Sequence, residues 1–281
     1  MTNAIFGFPR QTPYFTGMAG GSWLLPFYST NLLTLPLSKV ARSNGTSLAN
    51  TQFYVTASPA RTATMVALAR HNFTAAAQIK LTTWADSGRT TVTFAGSFEN
   101  VWPAGYTPPA STLESQNAIW TWFKRFSTTP ITVGALQLEI SDASNPAGYV
   151  QAGFVEICQH FETRWNFEWG YQFGFNWRSQ VTEAIGGVQY IDRRAKPRIA
   201  RGNFPLVTRD QSMTRFFEMQ RQLDLADPIL FVPLYDEPAH YPRTAMLAQQ
   251  MDPGPSVMKM RGGNPVGLID AVPFALREII G

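Results

Sequence analysis

The chain has 281 residues, of which 44% are hydrophobic and only 15% are charged, and its formal net charge is +4. So small a net charge argues against a nucleic-acid-binding function, and the single cysteine, Cys158, excludes an intrachain disulfide framework and a cysteine metal cluster. Without a secretory signal pattern or an apolar run of ~18–20 residues, we expect synthesis in a cytoplasm and no membrane-spanning segment.

Residues 1–30 are rich in aromatic side chains and lack periodicity, which predicts a segment packed on its own or on a neighbouring subunit. Residues 31–161 then contain short runs of alternating apolar and polar residues, which indicates a β-sandwich or jelly roll. Within them, the wholly apolar run Met65–Ala69 predicts a strand covered on both faces. Ile131–Ile140, a turn, and Tyr149–Ile157 predict a hairpin.

Three segments of this first domain resemble the galactose-binding-like (discoidin-type) jelly roll. They are Met65–Phe73 and Ala77–Asp86, which look like its central strands, and Ala135–Asp142, which looks like its last strand. The resemblance implies a jelly-roll fold, and many members of that family bind sugars. Three aromatic residues are candidates for a platform that stacks against a host-surface glycan, namely Trp84, Trp102 and Tyr106. Packing in the core or against another subunit is the favoured interpretation of the same rings.

The second predicted domain, residues 162–281, opens with an aromatic run from Trp165 to Trp177. Ser179–Pro197 predicts a hairpin that turns at Gly186 and Gly187. Thr208 followed by Gln211 fits a helix-capping box, and the one amphipathic helix stripe follows it: Met213, Phe216, Phe217 and Leu223. Ile229–Leu234 predicts a buried strand that lies at a sheet edge because it contains Pro233. Ala245–Met251 and Phe274–Ile280 predict further strands.

The order of these elements resembles the tail-tip proteins of long-tailed bacteriophages, in particular distal tail and minor tail proteins. The likeness is carried by Tyr171–Ser179, Gly186–Arg194, the strand ending at Phe204, the capped helix and the last strands. The resemblance implies a β-barrel-like domain with one helix, whose copies form a ring beneath the tail tube. It also implies tail tube and tail hub proteins as partners, and a place in the virion at the tail tip.

The sequence carries no catalytic motif, and we predict a non-enzymatic protein without cofactor or metal. The three histidines are far apart, and neither a nucleophile elbow nor a phosphate-binding glycine loop is present. A polysaccharide-cleaving activity remains an open alternative, because such an enzyme needs only two carboxylates and these leave no sequence motif. Its candidates are Glu162, Glu168, Asp236 and Glu237, although solvated or ion-paired carboxylates are the favoured interpretation.

The most basic segment is predicted to contact a neighbouring subunit, since arginine is favoured at protein interfaces. It comprises Arg193, Arg194, Lys196, Arg198 and Arg201. A nucleic-acid contact is the less favoured interpretation.

The main functional prediction is a structural subunit of a phage tail tip or baseplate, forming a ring of identical copies. The alternative is a carbohydrate-binding adhesion protein that acts through the jelly roll.

Overall fold

The computed structural model describes residues 3–106, 108, 119–168, 170–251, 254–259 and 269–280, so Trp169 of the aromatic run lies outside it. The fold is mainly β. The strands are β1 (Ile5–Gly7), β2 (Phe15–Ala19), β3 (Ala41–Arg42), β4 (Phe53–Ala63), β5 (Met65–Ala69), β6 (Gln78–Trp84), β7 (Val92–Ala95), β8 (Glu99–Asn100), β9 (Thr121–Arg125), β10 (Ile131–Ser141), β11 (Gln151–Ala152), β12 (Phe154–Cys158), β13 (Phe161–Glu162), β14 (Gln172–Phe175), β15 (Gln180–Glu183), β16 (Gln189–Asp192), β17 (Arg198–Thr208), β18 (Ile229–Val232), β19 (Met246–Gln250), β20 (Val257–Lys259) and β21 (Ile269–Glu278).

Helical structure is short. Single turns occur at Thr12–Tyr14, Ser29–Leu33, Leu48–Thr51, Pro238–His240 and Tyr241–Thr244. Among the described residues, one longer helix consists of three consecutive segments, Arg209–Gln211, Ser212–Phe217 and Glu218–Gln222, of which the central one is π-helical. None of the described helices has the length and apolar character needed to cross a membrane.

The first part of the chain is a jelly-roll sandwich of two antiparallel sheets. The larger sheet has the order β2-β4-β10-β6-β7, with β8 paired to β6, and the smaller sheet has the order β12-β5-β9. The inward positions alternate along the central strand β10, where Leu136, Leu138 and Ile140 are buried as their spacing predicts. These side chains meet Val66 and Leu68 of the smaller sheet in one apolar core.

The predicted hairpin between Ile131–Ile140 and Tyr149–Ile157 is wrong. Strand β10 pairs with β4 and β6, whereas β12 pairs with β5 in the opposite sheet. The polar turn after β10 instead carries the chain from one sheet to the other. Sequence alternation identifies a strand but does not choose its partner, and a turn residue pattern serves both connections.

Strand β5 is buried along its whole length, which confirms the prediction of a strand covered on both faces. Val66 and Leu68 face the sandwich core. Met65 and Ala67 pack on the outside against a second sheet, where they share an apolar cluster with Leu230 of β18. The jelly roll and the second sheet are therefore joined by a continuous apolar contact.

The second sheet has eight strands in the order β13-β1-β18-β19-β21-β17-β14, with β20 paired to β21. Four hydrogen-bonded steps separate β1 from β17, which on a flat sheet would place them about 19 Å apart. The rings of Phe6 on β1 and Phe204 on β17 nevertheless lie 5.8 Å apart. The sheet is thus curled into a barrel-like form around a phenylalanine-rich core.

The N-terminal segment belongs to both parts of the molecule. Strand β1 pairs with β13 and β18 in the second sheet, and β2 pairs with β4 in the jelly roll. Its aromatic residues Phe6, Phe8 and Phe15 are buried within this same chain, whereas Tyr14 and Tyr28 are exposed. Strand β1 consequently completes a sheet whose other strands lie between Phe161 and Glu278.

The long helix covers one side of the barrel-like core. The Thr208 hydroxyl accepts a hydrogen bond from the Gln211 amide, which confirms the predicted cap. Phe216 is buried as predicted, but Phe217 is exposed and its predicted core position is wrong. Met219 is buried on the core side of the helix, two residues beyond Phe217. The buried positions Ser212, Phe216 and Met219 follow an i, i+4, i+7 spacing, so Phe217, directly after Phe216, lies outside the stripe that faces the core.

Two further predictions have opposite outcomes. The hairpin within Ser179–Pro197 is confirmed, since β15 pairs with β16 across a turn in which Gly187 has φ +78°. The placement of Ile229–Leu234 at a sheet edge is wrong, because β18 lies between β1 and β19. Strand β18 ends at Val232, so Pro233 follows the strand and interrupts no hydrogen bond.

Candidate functional site

A groove of about 230 Å³ runs beside β9, where the jelly roll meets the barrel-like sheet. Its lining combines aromatic rings with charged and hydrogen-bonding side chains. It consists of His71, Glu99, Asn100, Val101, Trp102, Pro103, Trp120, Thr121, Trp122, Phe123, Lys124, Arg125, Tyr235, Tyr241 and Pro242. Both parts of the fold therefore contribute to one concave surface.

Strand β9 lies along the groove because it is the edge strand of the smaller jelly-roll sheet. It pairs with β5 on one side. Across residues 3–106, 108 and the later described ranges, no strand pairs with its other side. Backbone amides and carbonyls on that side are thus available to a ligand, as well as the side chains.

The jelly-roll wall of the groove is a cluster of rings. Trp102 stacks on Tyr106 with ring centroids 5.4 Å apart and meets Trp120 edge-on at 5.3 Å. The Trp102 indole donates a 2.7 Å hydrogen bond to the Thr74 carbonyl, which fixes the ring. Trp102 and Tyr106 are buried, while Trp120 is only half-buried. Trp120 is therefore the ring of this wall that a ligand can reach.

His71 lies behind this wall as a neutral side chain. Burial lowers its pKa to about 3, and its ring stacks on Phe73 at 4.2 Å. Its Nδ1 accepts a hydrogen bond from the Phe73 amide, so the remaining proton of the neutral ring is on Nε2. His71 can donate a hydrogen bond but adds no charge to the groove near neutral pH.

The opposite wall comes from the barrel-like part. Tyr235 and Tyr241 stack with ring centroids 5.9 Å apart, and Phe123 of β9 meets Tyr241 at 4.8 Å. The Tyr241 hydroxyl donates a hydrogen bond to the Tyr235 carbonyl, and burial raises the Tyr241 pKa to about 12. This wall thus presents two half-buried phenol rings, and the Tyr241 hydroxyl stays protonated near neutral pH.

Two ion pairs lie at the rim of the groove. Lys124 contacts Glu99 at 2.6 Å, and Arg125 pairs with Glu162. The Arg125 guanidinium also lies 4.3 Å from the centre of the Tyr235 ring, which holds it across the boundary between the two walls. Charged donors and acceptors are therefore positioned within reach of the aromatic faces.

The three predicted glycan contacts do not form one platform. Trp102 and Tyr106 lie together as packed, buried rings in the jelly-roll wall of the groove. Trp84 lies on β6 of the other sheet. Sequence reasoning does not identify the accessible rings, Trp120 and Tyr235. The sequence signal for Trp120 is its position directly before a predicted strand, and no spacing of residues connects Tyr235 with Trp120.

The predicted basic interface residues are dispersed as well. Arg193, Arg194 and Arg201 are exposed and Lys196 is half-buried, with its ammonium 4.2 Å from the Trp177 ring centre. Arg198 is buried, and its guanidinium bonds to Glu278 and to the carbonyls of Ile119, Pro242 and Arg243. Arg198 is thus committed to contacts inside its own chain.

The carboxylates considered for catalysis are either bonded to other side chains or exposed. Glu162 pairs with Arg125, Glu168 accepts a hydrogen bond from Asn203, and Asp236 and Glu237 are exposed. Within the part of the chain that the structure describes, no three His, Cys, Asp or Glu side chains are arranged to hold a metal ion.

No protein-family model matches the sequence, and no curated protein matches it. Solved carbohydrate-binding modules show a distant structural likeness. The family 32 module of NanJ from Clostridium perfringens, in complex with galactose, aligns with 56% of this chain and 99% of its own, at 10% identity and a TM-score of 0.38. A family 32 module from a family 31 glycoside hydrolase of Clostridium perfringens aligns with 53% of this chain and 92% of its own, at 14% identity and a TM-score of 0.38. The family 32 module of AlyQ, in complex with 4,5-unsaturated mannuronic acid, aligns with 51% of this chain and 94% of its own, at 16% identity and a TM-score of 0.32.

Proposed function

We propose that this chain binds carbohydrate, without cleaving it, in the groove beside β9. The observation that carries the proposal is the juxtaposition of reachable rings, Trp120 and Tyr235, with the charged pair Lys124–Glu99. Sugar rings present C–H faces that pack on aromatic rings and hydroxyl groups that need polar partners. The groove supplies both within one concave surface.

The size of the groove limits what it holds. At about 230 Å³ it is smaller than the ~300–1,000 Å³ pockets that enclose drug-sized ligands. One sugar ring would therefore be held in the groove, while neighbouring rings remain outside. We infer recognition of a chain end or a branch residue.

A glycan array followed by calorimetry tests this proposal. Trp120→Ala and Tyr235→Ala are each expected to reduce binding by about 2- to 13-fold, because each removes an aromatic face worth roughly 0.5–1.5 kcal/mol. Trp177→Ala is the matched control, since this exposed tryptophan lies outside the groove. Circular dichroism confirms that each variant is folded. Binding of an extended peptide along β9 in place of any glycan would overturn the proposal.

A second candidate function is supported by a separate feature, the β15–β16 hairpin. All residues of both strands are exposed. The hairpin exposes large apolar side chains in its strands, at Val181, Tyr190 and Ile191, and in its turn, at Ile185 and Val188. Exposed apolar surface of this kind marks an interaction site. We propose that the hairpin packs on a second copy of this chain in a ring-shaped assembly, as expected for a tail-tip subunit.

The hairpin allows a matched test of assembly. Val181 and Ile191 are cross-strand partners on one face of the hairpin, whereas Val92 is an exposed valine on β7 of the jelly roll. The double variant Val181→Asp, Ile191→Asp is expected to abolish oligomers in light scattering, whereas Val92→Asp is expected to retain them. A wild-type protein that stays monomeric up to high concentration, and is missing from phage tail tips, would contradict this second function.

A further inference from the structure

A second, more open cleft lies next to the groove and shares Arg125 with it. It is formed by the end of β9, the residues around β13 and the long helix. Its lining consists of Arg125, Thr128, His160, Phe161, Glu162, Gln211 and Arg215, and its volume is about 380 Å³. Because Arg125 lines both cavities, a ligand longer than one sugar ring could extend from the groove into this cleft.

The charged groups of the cleft leave one cation uncompensated. Arg125 is paired with Glu162, and the Gln211 amide donates a 2.7 Å hydrogen bond to the Glu162 carbonyl. Arg215 forms no ion pair with any carboxylate among the described residues. The balance of two guanidinium groups and one carboxylate is therefore +1.

His160 does not change this balance near neutral pH. Its Nδ1 lies 2.7 Å from the Thr64 hydroxyl, and its Nε2 is 3.9 Å from the Glu162 carboxylate. Burial, together with the nearby Arg125 and Arg215, lowers the pKa of His160, while Glu162 acts in the opposite direction. The ring is therefore a neutral hydrogen-bonding group in the cleft wall.

We propose that the cleft binds the carboxylate of an acidic sugar residue, such as a uronic acid, in a glycan whose neighbouring ring occupies the groove. This inference rests on the proposed carbohydrate-binding function and specifies its ligand class. Arg215 provides the free guanidinium, whose planar donors match a carboxylate bidentately. Arg125 contributes a second positive charge from the shared wall.

The experiment compares two ligands that differ in a single group. A uronic-acid oligosaccharide and its carboxyl-reduced form are titrated into wild type, Arg215→Ala and Arg215→Lys by calorimetry. Arg221→Ala is the control, since Arg221 lies on the same helix, exposed and paired with Glu218. The acidic ligand is expected to bind wild type about tenfold or more tightly than the reduced ligand, as for a hydrogen bond to a charged group. That preference should vanish in Arg215→Ala, be partly kept in Arg215→Lys and be unchanged in Arg221→Ala.

The possible failures separate the cleft from the groove. Equal binding of both ligands, with no effect of Arg215→Ala, would overturn the cleft assignment while the groove still binds sugar. A sulfated oligosaccharide bound as tightly as the uronic acid, and equally dependent on Arg215, would overturn the carboxylate selectivity. If neither ligand nor any arrayed glycan binds the folded wild type, both the cleft assignment and the proposed function are wrong.

Discussion

The guanidinium of Arg10 lies against the carboxylate of Glu156, with nitrogen–oxygen distances of 3.1 and 3.3 Å. A third nitrogen–oxygen contact, 2.8 Å long, joins Arg10 to Asp227 beyond the barrel helix. Glu156 lies on the jelly-roll strand β12 and is buried. Arg10 therefore connects a buried carboxyl group of the jelly roll with a surface carboxylate of the barrel-like part.

This arrangement predicts a pH-dependent stability. Burial raises the pKa of Glu156 from 4.5 to about 7, although Arg10 acts in the opposite direction. Glu156 then holds its proton in the folded state but not in the unfolded state between these values, so the contribution of Glu156 to stability falls as pH rises from about 4.5 to 7. The loss is on the order of 3 kcal/mol. His71 contributes in the opposite direction up to about pH 6.5, because burial lowers its pKa to about 3.

Urea unfolding at several pH values between 4.5 and 8 measures this effect. The free energy of unfolding of Glu156→Gln should rise relative to that of the wild type as pH increases from 4.5 to 7, because the amide does not titrate. The control Glu139→Gln removes a carboxylate that pairs with Lys80 on the larger jelly-roll sheet, and its pH profile should stay parallel to that of the wild type. An unaltered pH profile in Glu156→Gln would show that Glu156 is not the responsible group.

The buried ion pair of Arg198 and Glu278 predicts a large cost for removing one partner. The closest nitrogen–oxygen contact is 2.5 Å, and both side chains are less than a tenth exposed. Arg198→Met should lower the free energy of unfolding by ~3–5 kcal/mol, since Glu278 stays buried without its partner. Arg201→Met, on the exposed face of the same strand, should change it by less than about 0.5 kcal/mol.

A double variant separates the ion pair from the backbone contacts of Arg198. Adding Glu278→Leu to Arg198→Met should recover much of the lost stability, because neither charge is then left unpaired. Failure to recover would assign the loss to the hydrogen bonds that Arg198 makes with carbonyls near the groove. Chemical denaturation of the three variants gives the comparison.

We expect the position of Gly134, within the larger jelly-roll sheet, to tolerate no larger side chain. It lies at an irregularity between Val133 and Ala135, where an added Cβ would approach the Asp86 backbone to 2.5 Å. Gly134→Ala should destabilise the protein by roughly 1–3 kcal/mol, as for overpacked sites. Gly174→Ala is the control, since nothing lies within 4 Å of its added Cβ. Equal unfolding midpoints for the two variants would contradict this assignment.

The packing of Phe6 predicts that strand β1 is essential to the barrel-like core. Its ring lies 5.0 Å from that of Phe231 and 5.2 Å from that of Phe161. Phe6→Ala should lower the free energy of unfolding by ~3–5 kcal/mol. Leu25→Ala, at a side chain that is 71% exposed, should have little effect. Thermal unfolding distinguishes the two, and comparable melting temperatures would refute a core role for Phe6.

The sequence patterns were reliable where local interactions decide the structure. The apolar run Met65–Ala69, the Gly186–Gly187 turn and the Thr208 cap are short-range features, and the structure confirms each of them. Strand partners were not predictable in this way, because pairing depends on contacts between distant residues. The partners of β10 and the internal position of β18 illustrate this limit.

The candidate site was less accessible to sequence reasoning for the same physical cause. Trp120 and Tyr235 are separated by more than a hundred residues, and only the packing of the two sheets places them on one groove. Trp102 and Tyr106 stack on each other, whereas Trp84, predicted for the same platform, lies on β6 of the other sheet. The sequence contains no information on which of these rings come together or which of their faces is covered. Burial of a tryptophan depends on its surroundings, not on its type.

The pairing of β1 with β13 has a consequence for modularity. Phe6 lies opposite Phe161 in this antiparallel pair, so the end of β1 and the start of β13 are close together. The jelly roll is therefore inserted between two adjacent strands of the barrel-like sheet, an arrangement that permits exchange of the inserted module. A short turn could replace it in a designed minimal protein, provided that the apolar face around Leu230 is made polar. In the natural chain, a different module could be accommodated at the same point without changing the exposed hairpin of β15 and β16.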